Sequence, residues 1–394
     1  MLPAYVTCVH ALARTSAAVL SSLLLAVPAT AAPAPTLWDH VGYDAEDSWF
    51  NPGERTLTAA RVGRLSTKWS VKLRTADTCS DFGLPVVSGG RIFVGDRAGI
   101  SARSIATGAQ QWAFSWDEFG DGTRPRLAVS DGLLIAGYHD CGSVSDPNSR
   151  LIALDVATGK KRWAVRTPIM GDLVVDKGVA LLSETDGVYG ETLTVAYRVR
   201  DGRELWRAPN RHTGGSSANG VVAAFTTDGE GIRTGQTAAL DIISGAVRWT
   251  AKHHLAAGAA SPAGDVFYGS DGSDRLAAVG AGDGKVRWTA PPAEDAENYR
   301  IAADGARVYR SSNRTVAALD ARTGKQLWSR KLKASAGQPL VAGGLVYAEA
   351  VVLDAVKGTV VAEGSAFTGD LIVTGGVVYR VHEGTLSAQV PRVS

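Results

Sequence analysis

The stretch Ala153-Leu154-Asp155-Val156-Ala157-Thr158-Gly159-Lys160-Lys161-Arg162-Trp163 decides the fold, because it returns twice almost unchanged. The copies are Ala239-Leu240-Asp241-Ile242-Ile243-Ser244-Gly245-Ala246-Val247-Arg248-Trp249 and Ala318-Leu319-Asp320-Ala321-Arg322-Thr323-Gly324-Lys325-Gln326-Leu327-Trp328. Weaker copies end in Gly108…Trp112, Gly202…Trp206 and Gly284…Trp288, and a last one, Leu353-Asp354 to Gly358, has lost its Trp. Self-similarity at a period of about 40 residues marks a repeat architecture in which small units stack to bury a shared core.

A second signal alternates with the first. Gly-bearing dipeptides sit between runs of β-branched and aromatic residues at Gly89-Gly90, Asp131-Gly132, Lys177-Gly178, Asn219-Gly220, Gly264-Asp265, Asp304-Gly305, Gly343-Gly344 and Gly375-Gly376. Such dipeptides between apolar runs are the strongest short-range hairpin signal. Each hairpin leads to a third strand ending at the Leu-Asp position, then a turn, then a fourth strand holding Trp. Four antiparallel strands per unit is the composition of a propeller blade. The chain therefore reads as an all-β, eight-bladed β-propeller.

Eight hairpins meet only seven turn motifs, counting the degenerate copy at Gly358, so one fourth strand is missing. Trp69-Ser70-Val71-Lys72-Leu73 alternates like a spare strand at the other end of the chain. The expectation is that this first strand closes the last blade beside residues 385–390, removing an exposed sheet edge. Seven blades is the alternative if the final hairpin is only a flap. Within each repeat, Asp155, Asp241, Asp320 and Asp354 are expected to bond turn amides. Trp69, Trp112, Trp163, Trp206, Trp249, Trp288 and Trp328 are expected to fill the gaps between blades.

The repeat resembles that of the PQQ-like β-propeller family, shared by quinoprotein alcohol and glucose dehydrogenases and by BamB-like outer-membrane assembly lipoproteins. The likeness covers nearly everything after residue 60, and the segment around Asn51-Pro52-Gly53 and Val62…Trp69 resembles the lead-in strand of those enzymes. It implies the scaffold. The enzymes hold a quinone with adjacent cysteines, a Trp floor, a calcium ion on Glu and Asn, and a catalytic Asp. Here no two Cys are adjacent and no matching Glu, Asn and Asp set stands out. The leading expectation is thus a non-catalytic binding protein without a resident cofactor. A small PQQ- and Ca²⁺-dependent oxidoreductase is the alternative.

Charge nearly cancels, 41 Lys and Arg against 39 Asp and Glu, which leaves no basic excess for nucleic acid. Residues 1–32 read as a secretion signal, with His10 and Arg14, a short apolar run over 17–27, and Ala29-Thr30-Ala31 for cleavage. Residues 33–66 read as a lead-in and 67–394 as the propeller, in a secreted or wall-associated monomer with no later membrane span. Removing the signal leaves Cys79 and Cys141 as a pair, which an oxidising compartment would join.

The loops joining fourth to first strands and second to third strands share one propeller face, and several are long here. They nominate a rim of Trp116, Asp117, Glu118, Phe119, Tyr138, His139, Asp140 and Tyr189, with Arg211 and His212 nearby. Exposed aromatics among polar groups suit a protein, peptide or cell-wall glycan. His139-Asp140 lacks a nucleophile in a recognisable elbow. The acidic bias suits Ca²⁺, although no loop matches the spaced calcium motif.

Overall fold

The computed structural model describes residues 37–77, 81–117, 124–139, 149–167, 171–185, 192–228, 232–293 and 300–392. Eight antiparallel sheets follow one another along the chain. They span residues 86–115, 126–167, 172–209, 211–251, 256–289, 300–331 and 340–363, and the eighth joins 370–391 to 65–72. These are blades 1 to 8 of an eight-bladed propeller. Each blade is a meander because its first turn admits no other geometry. At Asp131-Gly132 both residues have positive φ, 51° and 74°, the two-residue turn whose twist matches the flanking strands.

The spare strand lies where the count requires. Leu65–Lys72 pairs antiparallel with Thr385–Pro391, with Trp69 opposite Ala388, so the first regular strand completes the last blade. The Arg392 amide donates to the Arg64 carbonyl at 2.8 Å, where the two ends of the ring meet.

Neighbouring blades are joined by the repeat itself. The seven Trp indoles each donate Nε1–H to a carbonyl of the next blade at 2.7–3.1 Å, from Trp69 to Ile105 round to Trp328 to Ala355. Each ring covers the glycine of that neighbour's last turn. At Gly202, with φ 70°, a Cβ would come within 2.6 Å of the Trp163 ring. Only a residue without a side chain serves there, since it must both adopt that φ and clear the indole. The repeat aspartates close the same turns. Asp155 Oδ1 accepts from the Ala157 and Thr158 amides, and Asp241, Asp320 and Asp354 do likewise.

One junction lacks its Trp for a topological reason. In blade 7, Ala362 stands opposite Val352 as Trp328 stands opposite Ala318 in blade 6. An indole at 362 would need the last turn of blade 8, which does not exist because the chain ends meet there. The short helix Ala59–Val62 packs against the outer strand Val360–Glu363 instead, with Leu57 and Val62 fully buried.

The axis is occupied by the chain's own lead-in, which passes once round the inner strands. Leu37 O accepts from Thr374 Oγ1 of blade 8. Trp38 exchanges both backbone bonds with Val87 of blade 1, and Asp39 O accepts from the Val129 amide of blade 2. His40 Nε2 meets Val175 O of blade 3 at 2.6 Å. Ala45, Glu46, Ser48 and Trp49 carbonyls then accept from Ser217, Ala260, Ala303 and Val341 of blades 4 to 7, at 2.7–2.9 Å. Finally Phe50–Asn51 runs parallel to Leu340–Ala342, and Asn51 Nδ2 donates to Val373 of blade 8. The segment shows no sequence period because successive residues meet different blades. Tyr43, Asp47 and Trp49 adopt positive φ of 86°, 50° and 52° to make the circuit.

Candidate functional site

The lead-in divides the axial channel in two. Above it lies a cavity of about 550 Å³, lined by His40, Asp44, Asp47 and Trp49 of the lead-in and by the starts of the inner strands. These contribute Arg126, Asp172, His212, Ala256, Arg300 and Asp370, so the cavity opens on the face of the fourth-to-first strand connections. Below it, on the hairpin-turn face, a shallower hollow of about 400 Å³ carries Asp39, Asp131, Asp176 and Lys177.

The floor is acidic and half-buried. Burial first, then the neighbouring Asp172 charge, push Asp47 up to about 7, while Arg126 opposes the shift. The Asp47 carboxyl is wedged against the backbone at Gly42, where a Cβ would overlap it, and lies beside Gly215 and Asp172. Burial raises Asp44 to about 6 even though the Ser48 amide and hydroxyl donate to it at 3.2 and 3.0 Å. Glu46 is raised to about 7 by burial and by Asp44.

The surroundings of His40 favour its protonated form. Burial opposes the charge, but Nδ1 lies 2.8 Å from Asp39 Oδ1 and Nε2 points at a carbonyl, which can only accept, so its value rises. The wall cations are largely engaged. Arg126 pairs with Asp172 at 2.9 Å and Arg124 with Asp370 at 2.5 Å. Arg300 is exposed at the mouth.

The blade 4 wall is aromatic. His212 stacks on Phe225 with centroids 4.8 Å apart and planes 12° apart, and His254 packs against Phe225 at 4.8 Å. Burial lowers both imidazoles, His254 to about 4. The Arg233 guanidinium lies over Phe225, 5.1 Å from its centroid.

Of the nominated rim residues that are described, the structure brings only His212 into this cavity. Asp117 is exposed and accepts from Lys161 Nζ at 2.6 Å. Trp116 is half-buried between Phe114 and Tyr138. Tyr138 is a correction. It is 0% exposed and packs in the core with Phe93, Trp112 and Leu134, because the strand Leu133–His139 turns that side inward. His139 ends that strand, opposite Ser149, and Arg211 donates to Asn210 O at 3.0 Å. Glu118, Phe119, Asp140, Tyr189, Cys79 and Cys141 lie outside the described residues.

Sequence reasoning missed Asp44, Asp47, Trp49 and Asp172. The available signal was an aperiodic lead-in carrying Asp39, Asp44, Glu46 and Asp47 between two tryptophans, Trp38 and Trp49.

Among the described residues the lining contains no hydroxyl, thiol or amine; its reactive side chains are carboxyls and imidazoles, groups that accept protons and cations. A quinone carrying several carboxylates does not fit these walls. Its charges would face Asp44, Asp47 and Asp172, and the nearby Arg124 and Arg126 are already paired. Among the described residues no group of three His, Cys, Asp or Glu side chains is placed to hold a metal ion.

The sequence profile of the family described as outer membrane protein assembly factor BamB matches residues 53–227 and 233–390. No curated protein matches the chain at the sequence level. Several solved structures share the fold. Quinohemoprotein alcohol dehydrogenase from Comamonas testosteroni has a TM-score of 0.67 at 16% identity, over 93% of this chain and 82% of that one. BamB from Moraxella catarrhalis has a TM-score of 0.58 at 17% identity, over 84% and 98%. A europium-containing methanol dehydrogenase has a TM-score of 0.65 at 14% identity, over 88% and 89%. At these identities the likeness fixes the fold and nothing finer.

Proposed function

The chain belongs to the family of outer membrane protein assembly factor BamB, and from that membership we propose that it is an exported, non-catalytic propeller. Its task is to hold a protein or peptide partner on the face onto which the axial cavity opens. The observation that carries this reading is the axial cavity, floored by the lead-in and lined by carboxyls, imidazoles and aromatic rings. Concave sites with a few convergent polar groups are the usual seats of ligands. Asp117, in the connection from blade 1 to blade 2, and Arg211, at the start of the first strand of blade 4, belong to the same face in this reading and add contact area. Export agrees with the expected signal over residues 1–32 and would allow the expected pairing of Cys79 with Cys141. No helix among the described residues is long and apolar enough to cross a membrane.

Photo-crosslinking on the two faces tests the proposal. A benzophenone side chain placed at Asp117, on the cavity face, is expected to form adducts with envelope or culture proteins. The same group at Lys177, on the hairpin-turn face, is expected to form none. Adducts from Lys177 alone, or from neither position, would contradict the reading.

A further inference from the structure

We propose that the axial cavity is a socket for an organic cation, and that the partner fills it with a lysine or arginine side chain. The inference rests on the binding reading above and specifies the chemistry of that partner.

Two independent features carry it. The first is charge. Asp44 and Asp47 face the cavity, and the cations packed around them are already committed: Arg126 to Asp172, and His40 to Asp39. Asp47 itself takes a hydrogen bond from Trp49 and shares the Arg126 charge with Asp172. At the mouth Arg124 is paired with Asp370, and among the described lining residues Arg300 is the remaining cation. The floor therefore carries the Asp44 and Asp47 carboxyls beyond the Arg126–Asp172 and His40–Asp39 pairs, in a half-buried place where a matched charge is worth more than at the surface.

The second feature is the aromatic wall. Phe225 and the neutral His212 present stacked rings to the same space, with the Trp49 indole below. A ring face beside carboxylates is the chemistry that recognises ammonium and guanidinium groups. Phe225 already carries one such contact, from Arg233. The volume, about 550 Å³, admits a long side chain and its head group while excluding a folded domain. A narrow acidic cup on the axis, ringed by a broader face, matches a partner that inserts one basic residue and spreads over the rim. Anchors of this kind, buried at the centre of an interface, dominate its affinity.

Calorimetric titration with cadaverine and agmatine, which carry the lysine and arginine head groups, tests the idea on the full exported chain. Binding of at least one is expected near pH 8, about tenfold weaker near pH 5.5, where Asp44 and Asp47 take up protons. Uptake should release protons, read as a dependence of the heat on buffer ionisation. Asp47→Asn and Asp44→Asn should each weaken binding about tenfold, while Asp131→Asn on the opposite face should leave it unchanged. Thermal melting of each variant checks folding, and two floor variants guard against one that fails to fold.

Neither cation binding, binding unchanged in both floor variants, equal binding of glutarate, or displacement by calcium at equal concentration would overturn the proposal. The two readings fail separately. Crosslinks from the cavity face without cation binding sink the socket alone. Cation binding without crosslinked protein sinks the protein partner and leaves the socket.

Discussion

At the residue scale, the repeat is a set of local contacts that can be broken one at a time. Gly202→Ala forces a Cβ at φ 70° and drives it into the Trp163 ring. Gly132→Ala meets the same φ penalty in open space. The left-handed conformation alone costs about 1–2 kcal/mol for a side-chain residue, and overpacking adds about 1–3 kcal/mol. Denaturant midpoints should therefore fall roughly twice as far for Gly202→Ala as for Gly132→Ala. Equal losses would mean that the indole yields. These glycines, aspartates and tryptophans were legible in the sequence because each recurs at a fixed offset. Asp47 was not legible, since it occurs once and owes its character first to burial at the axis and then to Asp172, far along the chain. Tyr138 was misplaced for a related reason: the loop length was visible, but the side of the strand was not.

Asp47 also gives the molecule a pH signature. Its value is about 7 in the folded state against 3.8 as the ordinary value, so folding favours the protonated form. The contribution to stability is complete below the ordinary carboxylate range and is lost as pH rises through about 7. Asp44 and Glu46 act in the same direction. Melting temperature should therefore decline from pH 5 to pH 8 through these groups, and Asp47→Asn should flatten part of that decline. An unchanged slope would show that the carboxyl is solvated.

At the scale of elements, the closing strand and the missing Trp are one arrangement. Because Leu65–Lys72 supplies the fourth strand of blade 8, that blade has no last turn, and blade 7 has nothing for an indole to cover. Restoring the consensus should therefore harm the protein. Ala362→Trp drives a large ring toward the helix Ala59–Val62, and a loss of about 1–3 kcal/mol is expected from chemical unfolding. A gain would mean that the helix is displaced at little cost. The count of hairpins against turn motifs made the closing strand legible. The helix that replaces the Trp left no trace, being a single turn without a pattern of its own.

At the scale of the whole molecule, the lead-in turns a ring with a hole into a cup. Eight inner strands reach toward the axis with their first-strand backbone groups unmet, and one segment meets a group on each in turn. Periodicity exposes what repeats, and this segment does not repeat, so its path was beyond sequence reading. The cup, the acidic floor and the single open face all depend on it.

Hydrogen exchange read by mass spectrometry tests that dependence most directly. The amides of Val87, Val129, Ser217, Ala260, Ala303 and Val341 donate to lead-in carbonyls. They should be protected in the intact protein, and that protection should be lost together when residues 37–53 are deleted, while the outer strands keep theirs. If those six amides exchange freely in the intact chain, or stay protected after the deletion, the lead-in does not seal the axis and the account of a one-ended cup is wrong.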